Sequence, residues 1–89
     1  MPYISQEARK ALVENGNKPL TAGELNYLVA RLADEYLCDA VTGKITYKKL
    51  NEVIGVLECC KLEIYRRLVA PYEDAVLATN SEVFNAIAQ

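Results

Sequence analysis

The sequence has no histidine and no tryptophan, and only one phenylalanine, in 89 residues. Without histidine no imidazole can act as a base near neutral pH, and no serine lies in a nucleophile-elbow motif. A zinc site would need an unusual ligand set. No apolar run approaches the roughly 18–20 residues of a membrane span. The sequence therefore predicts no enzyme activity, no catalytic residues, no metal, no cofactor and no membrane segment.

An excess of positive charge is also missing, because ten basic residues stand against twelve acidic ones and the net charge is −2. General nucleic-acid binding normally needs a basic stripe, so nucleic acid is not an expected partner. The first residues lack the basic and apolar regions of a signal peptide, which predicts a cytoplasmic protein. The three cysteines, Cys38, Cys59 and Cys60, are expected to be buried free thiols rather than disulfides.

Apolar residues, by contrast, are plentiful and make up 52% of the chain. A chain this short buries only about 60–65% of the surface that its unfolded form exposes, so its core is thin. Apolar surface should therefore be left over after the monomer folds. Self-association would bury it, and we expect a homo-oligomer, with a dimer favoured.

Turn and capping signals divide the chain into helices at about residues 5–15, 22–39, 47–70 and 71–78, with a C-terminal tail expected to fray. Ser5 is a predicted N-cap, and Thr21 with Glu24 matches a capping box. Thr46 is the predicted N-cap of the third helix. Pro71 is expected to end or kink that helix, because proline disrupts a helix interior.

The third predicted helix has 24 residues and would reach about 36 Å. Its main apolar stripe comprises Leu50, Val53, Ile54, Leu57, Cys60, Ile64 and Leu68. Further apolar residues widen the stripe beyond what one partner helix could cover, and Gly55 would permit close approach there. We predict an all-α fold: a single domain, residues 1–89, forming a small three- to four-helix bundle around one long central helix, and oligomeric.

Two sequence stretches resemble a known family. The longer is IGVLECCKLEIYRRLVAPYED at residues 54–74, and the shorter is GELNY at residues 23–27, with Met1–Ile4 adding to the match. Together they resemble a family of short phage, prophage and bacterial proteins with a domain of unknown function. The resemblance implies a viral or mobile-element context, and hence a bacterial host cytoplasm, but it transfers no chemistry to individual residues.

The first candidate site lies at the end of the long helix and comprises Tyr65, Arg66, Arg67 and Tyr72. Planar guanidinium groups suit phosphate or carboxylate, and tyrosines stack on bases or bury at protein interfaces. The alternative is a row of intrahelical ion pairs with Glu63 on a solvated face. Asn26 and Tyr27, at the start of the second helix, are a further candidate pair for contacting a ligand or partner.

The second candidate is an anion site at the start of the long helix, where Lys44, Thr46, Lys48 and Lys49 surround free backbone N–H groups. The alternative is that these lysines are simply solvated. The stretch is not a Walker-type phosphate loop, because Ile45 follows the lysine where serine or threonine is required.

Three functions fit this sequence. The favoured one is a non-enzymatic interaction protein, which the resemblance would make a phage-encoded modulator of a host factor or defence system. Its partner would then be a host protein. The second is a protein that binds or sequesters a nucleotide or another small anionic ligand. The third is a helix-turn-helix DNA binder that contacts DNA bases with Lys48, Lys49, Asn51 and Glu52. The net negative charge of the chain opposes this function.

Overall fold

A computed structural model describes residues 4–38, 41–84 and 86. Over these residues the chain is helical, without strands, which confirms the all-α class. The elements are α1 (Gln6–Glu14), α2 (Ala22–Leu37), α3 (Tyr47–Ile64), a π-helical turn (Tyr65–Val69) and α4 (Ala70–Asn80). The predicted end of the second helix near residue 39 and the start of the motif at residues 1–3 lie outside the described residues. No described helix is both long and apolar enough to cross a bilayer.

The chain divides into two compact units, Met1–Val53 and Ile54–Gln89. The predicted bundle and its oligomerisation stay predictions, and so does the assignment of all 89 residues to a single domain. Most contacts among the described residues join parts of the chain that are close in sequence.

In the first unit, α1 begins at Ser5, whose hydroxyl accepts a hydrogen bond from the Ala8 N–H at 3.1 Å. It ends where Gly16 and Asn17 adopt positive φ, which lets the Asn17 N–H donate to the Leu12 carbonyl at 2.8 Å. Leu12 is 2% exposed and is the one buried apolar side chain among the described residues. The core of this unit is therefore small.

The capping box of α2 closes one residue earlier than the usual pattern. Thr21 Oγ1 accepts from the Glu24 N–H at 3.1 Å, as expected, but Glu24 Oε1 accepts from the Leu20 N–H at 2.8 Å. Gly23 leaves room for Ile4, which precedes α1, since a Cβ at Gly23 would lie 3.3 Å from Ile4 Cγ2. The start of α2 is thus held by both capping and close packing.

Tyr36 joins α2 to the start of α3 within the first unit. Its hydroxyl donates to Glu52 Oε1 at 2.9 Å, which raises the pKa of Tyr36 because the neutral phenol is the donor. Lys49 Nζ donates to the Tyr36 carbonyl at 3.1 Å and lies 5.2 Å from the centre of its ring. The ammonium group of Lys49 thereby meets the negative end of the α2 dipole.

A π-helical turn lies where Pro71 was expected to end or kink the helix. The chain passes from α3 through this turn into α4, which continues to Asn80. In the widened turn the Ala70 N–H donates to the Tyr65 carbonyl, five residues back. Proline in a regular helix lacks a donor and clashes with the carbonyl four residues back. The wider turn immediately before Pro71 accommodates the ring, and Pro71 then occupies the first turn of α4.

The expectation of buried thiols is wrong, because Cys38, Cys59 and Cys60 are all exposed, and all are free. Cys59 and Cys60 lie on α3 in the second unit, where no described large apolar side chain is buried. Their apolar character in the sequence predicted a core position, but the second unit supplies no described element that covers them.

Candidate functional site

The first candidate site, which we call the Tyr/Arg cluster, lies on the π-helical turn and the start of α4. Its members are Tyr65, Arg66, Arg67 and Tyr72. Glu63 accepts from Arg67 Nη1 at 3.2 Å and also lies 3.5 Å from Arg66 Nη2. One carboxylate is thus shared by two guanidinium groups, as the ion-pair alternative predicted. All three side chains are more than half exposed, so these pairs add little to stability. An external anion would have to compete with Glu63 for both arginines.

Tyr65 does not join the arginines but donates its hydroxyl to Glu73 Oε1 at 2.8 Å. This hydrogen bond, with the negative charge of Glu73, raises the pKa of Tyr65. Sequence spacing gave no signal for the contact, since residues eight apart lie about 80° apart around a regular helix. The fourth member of the cluster, Tyr72, is 72% exposed. The structure therefore brings Arg66 and Arg67 together and separates their ion pairs from the tyrosine contact.

A second feature of this unit is an exposed row of large apolar side chains, which we call the apolar face. Its members are Ile54, Leu57, Ile64, Leu68, Tyr72 and Val76, each at least 39% exposed. Several belong to the predicted stripe of the long helix, and Tyr72 belongs to the Tyr/Arg cluster. Gly55 has nothing within 4 Å of its Cβ position, so no close approach occurs there within the described residues. Contiguous exposed apolar side chains are typical of surfaces that contact other proteins.

The first unit contains a groove between α1 and α2 that the sequence did not reveal, which we call the Arg9–Tyr27 groove. The Arg9 guanidinium carbon lies 4.9 Å from the centre of the Tyr27 ring, a cation–π contact. Arg9 Nε is buried and has no hydrogen-bond partner among the described residues. The cavity beside them measures about 430 Å³, and its other lining residues are Ala30, Arg31, Ala33, Asp34 and Leu37. Asn26, the neighbour of Tyr27 in the predicted pair, is half-buried in α2 but does not line it.

The predicted anion site at the start of α3 is largely engaged in contacts within the chain. Thr46 Oγ1 accepts from the Lys49 N–H at 3.2 Å, so it acts as the helix cap. The ammonium group of Lys49 donates to the Tyr36 carbonyl, while Lys44 and Lys48 are exposed. Lys49 and Glu52 also belong to the set proposed to read DNA, and both contact Tyr36 instead.

Comparison with known proteins identifies a family. A family model described as a domain of unknown function, DUF6899, matches residues 1–83. No curated protein matches the chain, and no solved structure does. The match covers the motifs that carried the resemblance noted from the sequence, although it says nothing of a phage origin. The chain belongs to the DUF6899 family.

Proposed function

We propose that the chain is a non-enzymatic interaction protein that associates through the apolar face of its second unit, first of all with another copy of itself. The observation that carries this proposal is the exposure of the apolar face: Ile54 is 67% exposed and Leu68 is 66% exposed, on one continuous helical segment. Burying apolar area is the main driving force of association. A helix that leaves such residues in water gains stability when another helix covers them.

The biological role proposed with it is modulation of a host factor or host defence by a phage-encoded protein in the bacterial cytoplasm. The sequence resemblance supports the viral context. An assembled form would present Arg66, which is not part of the apolar face, in more than one copy, which strengthens binding to a host protein through multivalency.

Sedimentation velocity over a 100-fold concentration range tests the association. The wild-type chain should form a dimer or larger species, and Ile64→Asp should shift it to monomer, because a carboxylate would be buried in the contact. Val56→Asp is the matched control, since Val56 lies on the same helix, is 60% exposed and is not part of the apolar face. A monomeric wild-type chain at all concentrations would contradict the proposal, as would equal effects of the two variants.

A second candidate function is binding of a nucleotide or similar small anion, and the Arg9–Tyr27 groove favours it. A guanidinium group that stacks on an aromatic ring and has an unpaired buried Nε suits a phosphate or carboxylate oxygen. Arg31 adds a second positive charge to the lining, although Asp34 offsets part of it.

Thermal-shift measurements with inorganic phosphate and with mono-, di- and cyclic nucleotides test this candidate. A bound anion at about 100 times its Kd would add about 2.7 kcal/mol to the free energy of unfolding. Arg9→Ala should abolish the shift, whereas Lys10→Ala, which removes the same charge from an exposed neighbour, should retain it. No shift with any of these anions would remove the candidate.

A further inference from the structure

The apolar face follows a seven-residue repeat. Ile54, Leu57, Ile64 and Leu68 are separated by three, seven and four residues, and Lys61 occupies the one position of the repeat that lacks an apolar side chain. With Ile54 at position a, Leu57 and Ile64 fall at d, and Lys61 and Leu68 fall at a. This is the repeat by which two helices interlock along a common seam.

The π-helical turn keeps this repeat in line beyond Pro71. In a regular helix Val76 would lie about 120° around the axis from Ile64, because twelve residues exceed three turns by a third of a turn. One additional residue in the turn reduces the offset to about 20°, so Tyr72 and Val76 continue the seam as the next d and a positions. The Tyr65–Glu73 hydrogen bond demonstrates the realignment, since these residues are also eight apart and yet meet at 2.8 Å.

The exposed area is sufficient for a pair of identical helices. Side chains of this size expose about 100 Å² each, so the six members of the apolar face expose about 600 Å² per chain. A symmetric pair would bury about 1,200 Å², which reaches the lower end of the range for stable protein interfaces. A second copy of the same chain therefore offers enough apolar surface to cover the seam.

Charges beside the seam indicate a parallel pair. In a parallel pair, Arg67 at position g faces position e of the partner helix in the next heptad, and the additional residue makes that position Glu73. Arg67 can leave Glu63 for this contact, because Arg66 remains beside the same carboxylate. The Arg67 and Glu73 side chains of the two copies would then form two ion pairs that flank the layers at Leu68 and Tyr72.

Lys61 and the π-helical turn specify the register. In a parallel pair without offset, the two Lys61 residues share one layer, where Glu58 lies 3.1 Å from the ammonium group on its own helix. All the remaining layers of the seam are then apolar. An offset or antiparallel pair would place each Lys61 against an apolar layer instead, and would set the widened turn against regular helix. A single polar residue at position a commonly fixes register in this way.

We propose that two copies of the chain pair through the apolar face as a parallel, in-register coiled coil, whose seam is kept continuous by the π-helical turn and whose register is set by Lys61. This pairing rests on the proposed function, since it names the partner and geometry of the same face. In this pairing the widened turn keeps the seam continuous. Lys61 weakens the dimer but fixes the alignment of its two helices.

Disulfide trapping of the full chain tests the orientation. In a parent with Cys38, Cys59 and Cys60 changed to serine, Val76→Cys places two thiols in one layer of the parallel pair. Asp74→Cys, at the same height on the outer side of the helix, is the matched control. In a glutathione redox buffer, Val76→Cys should give at least tenfold more covalent dimer than Asp74→Cys. An antiparallel pair would hold the two copies of position 76 tens of ångströms apart and would give no such excess.

Sedimentation of the same proteins separates the two proposals. If the wild-type chain is dimeric and Ile64→Asp disrupts the dimer, while Val76→Cys gives no excess, the parallel pairing is wrong and the proposed function stands. A monomeric wild-type chain would contradict both the parallel pairing and the proposed function. Lys61→Leu provides a test without added thiols. It replaces the polar layer with an apolar one and should tighten the dimer about tenfold or more. Unchanged or weaker association of a Lys61→Leu protein that is still helical would contradict the proposed seam.

Discussion

At the scale of single residues, two glycines with open surroundings hold opposite backbone states. Gly43 has φ +68° in the turn before α3, whereas Gly55 lies inside α3, and neither has an atom within 4 Å of its Cβ position. Gly55→Ala should raise the free energy of unfolding by about 0.5–1 kcal/mol, because alanine loses less backbone entropy in a helix. Urea denaturation at one protein concentration measures the change.

Gly43→Ala is the control for this prediction. The substitution places a Cβ on a left-handed residue and should lower the free energy of unfolding by about 1 kcal/mol, although no atom obstructs it. If Gly55→Ala destabilised the chain as much as Gly43→Ala, the neighbourhood of Gly55 would have to be occupied in solution.

The Tyr65–Glu73 hydrogen bond gives a prediction about pH. Glu73→Gln should lower the pKa of Tyr65 toward its ordinary value, because the carboxylate that stabilises the neutral phenol is removed. Since the folded-state pKa is raised, the stabilisation is present below about pH 10 and is lost as the pH rises through the folded-state value. NMR titration of labelled tyrosine rings follows each residue separately. Glu63→Gln should leave the pKa of Tyr65 unchanged.

Local residue roles could be predicted from the sequence, and roles that depend on tertiary contacts could not. Ser5, Thr21 and Thr46 cap their helices as their spacing indicated, because a cap involves atoms only two or three residues apart. The contact of Arg9 with Tyr27 joins two helices and leaves no periodic signal. Tyr65 and Glu73 are on one helix, but their meeting depends on a turn that no spacing rule anticipates.

At the scale of elements, Pro71→Ala should convert the π-helical turn to regular helix. Alanine supplies the missing N–H and removes the ring that the widened turn accommodates. Tyr65 and Glu73 should then lie about 80° apart and lose their hydrogen bond, so the pKa of Tyr65 should fall as it does in Glu73→Gln. The same NMR titration measures this result.

Pro19→Ala is the matched control, because Pro19 lies outside the helices and its loss should leave the pKa of Tyr65 unchanged. Pro71→Ala should also weaken dimerisation, since Val76 would leave the seam. A raised Tyr65 pKa that persists in Pro71→Ala would show that the widened turn does not depend on the proline.

The helices themselves could be predicted because their apolar periodicity and caps are local. The π-helical turn before Pro71 could not be predicted, since two outcomes compete there. Proline can break a helix, or the helix can absorb it by widening the preceding turn, and residue spacing alone does not distinguish the two. Continuity through Pro71 matters for the proposed association, because it extends the apolar face from Leu68 to Val76.

At the scale of the whole molecule, much of the apolar content that suggested self-association appears as exposed side chains. The prediction of surplus apolar surface depended on composition and chain length, and both were informative. The arrangement of that surface was not predictable, because it depends on which helix faces find partners. Within the second unit no described element covers the apolar face, and the proposed partner is another molecule, which a single sequence does not display.

Stability of the whole molecule should therefore depend on protein concentration. If the folded chain dimerises through the apolar face, unfolding is coupled to dissociation, and raising the concentration 100-fold should stabilise the dimer by about 2.7 kcal/mol. The midpoint of thermal unfolding, followed by circular dichroism, should rise with concentration for the wild-type chain and for Val56→Asp. It should be independent of concentration for Ile64→Asp, whose carboxylate would be buried without a partner in the pair. A midpoint independent of concentration in all three proteins would mean that the apolar face stays in water, and the functional proposal would then be wrong.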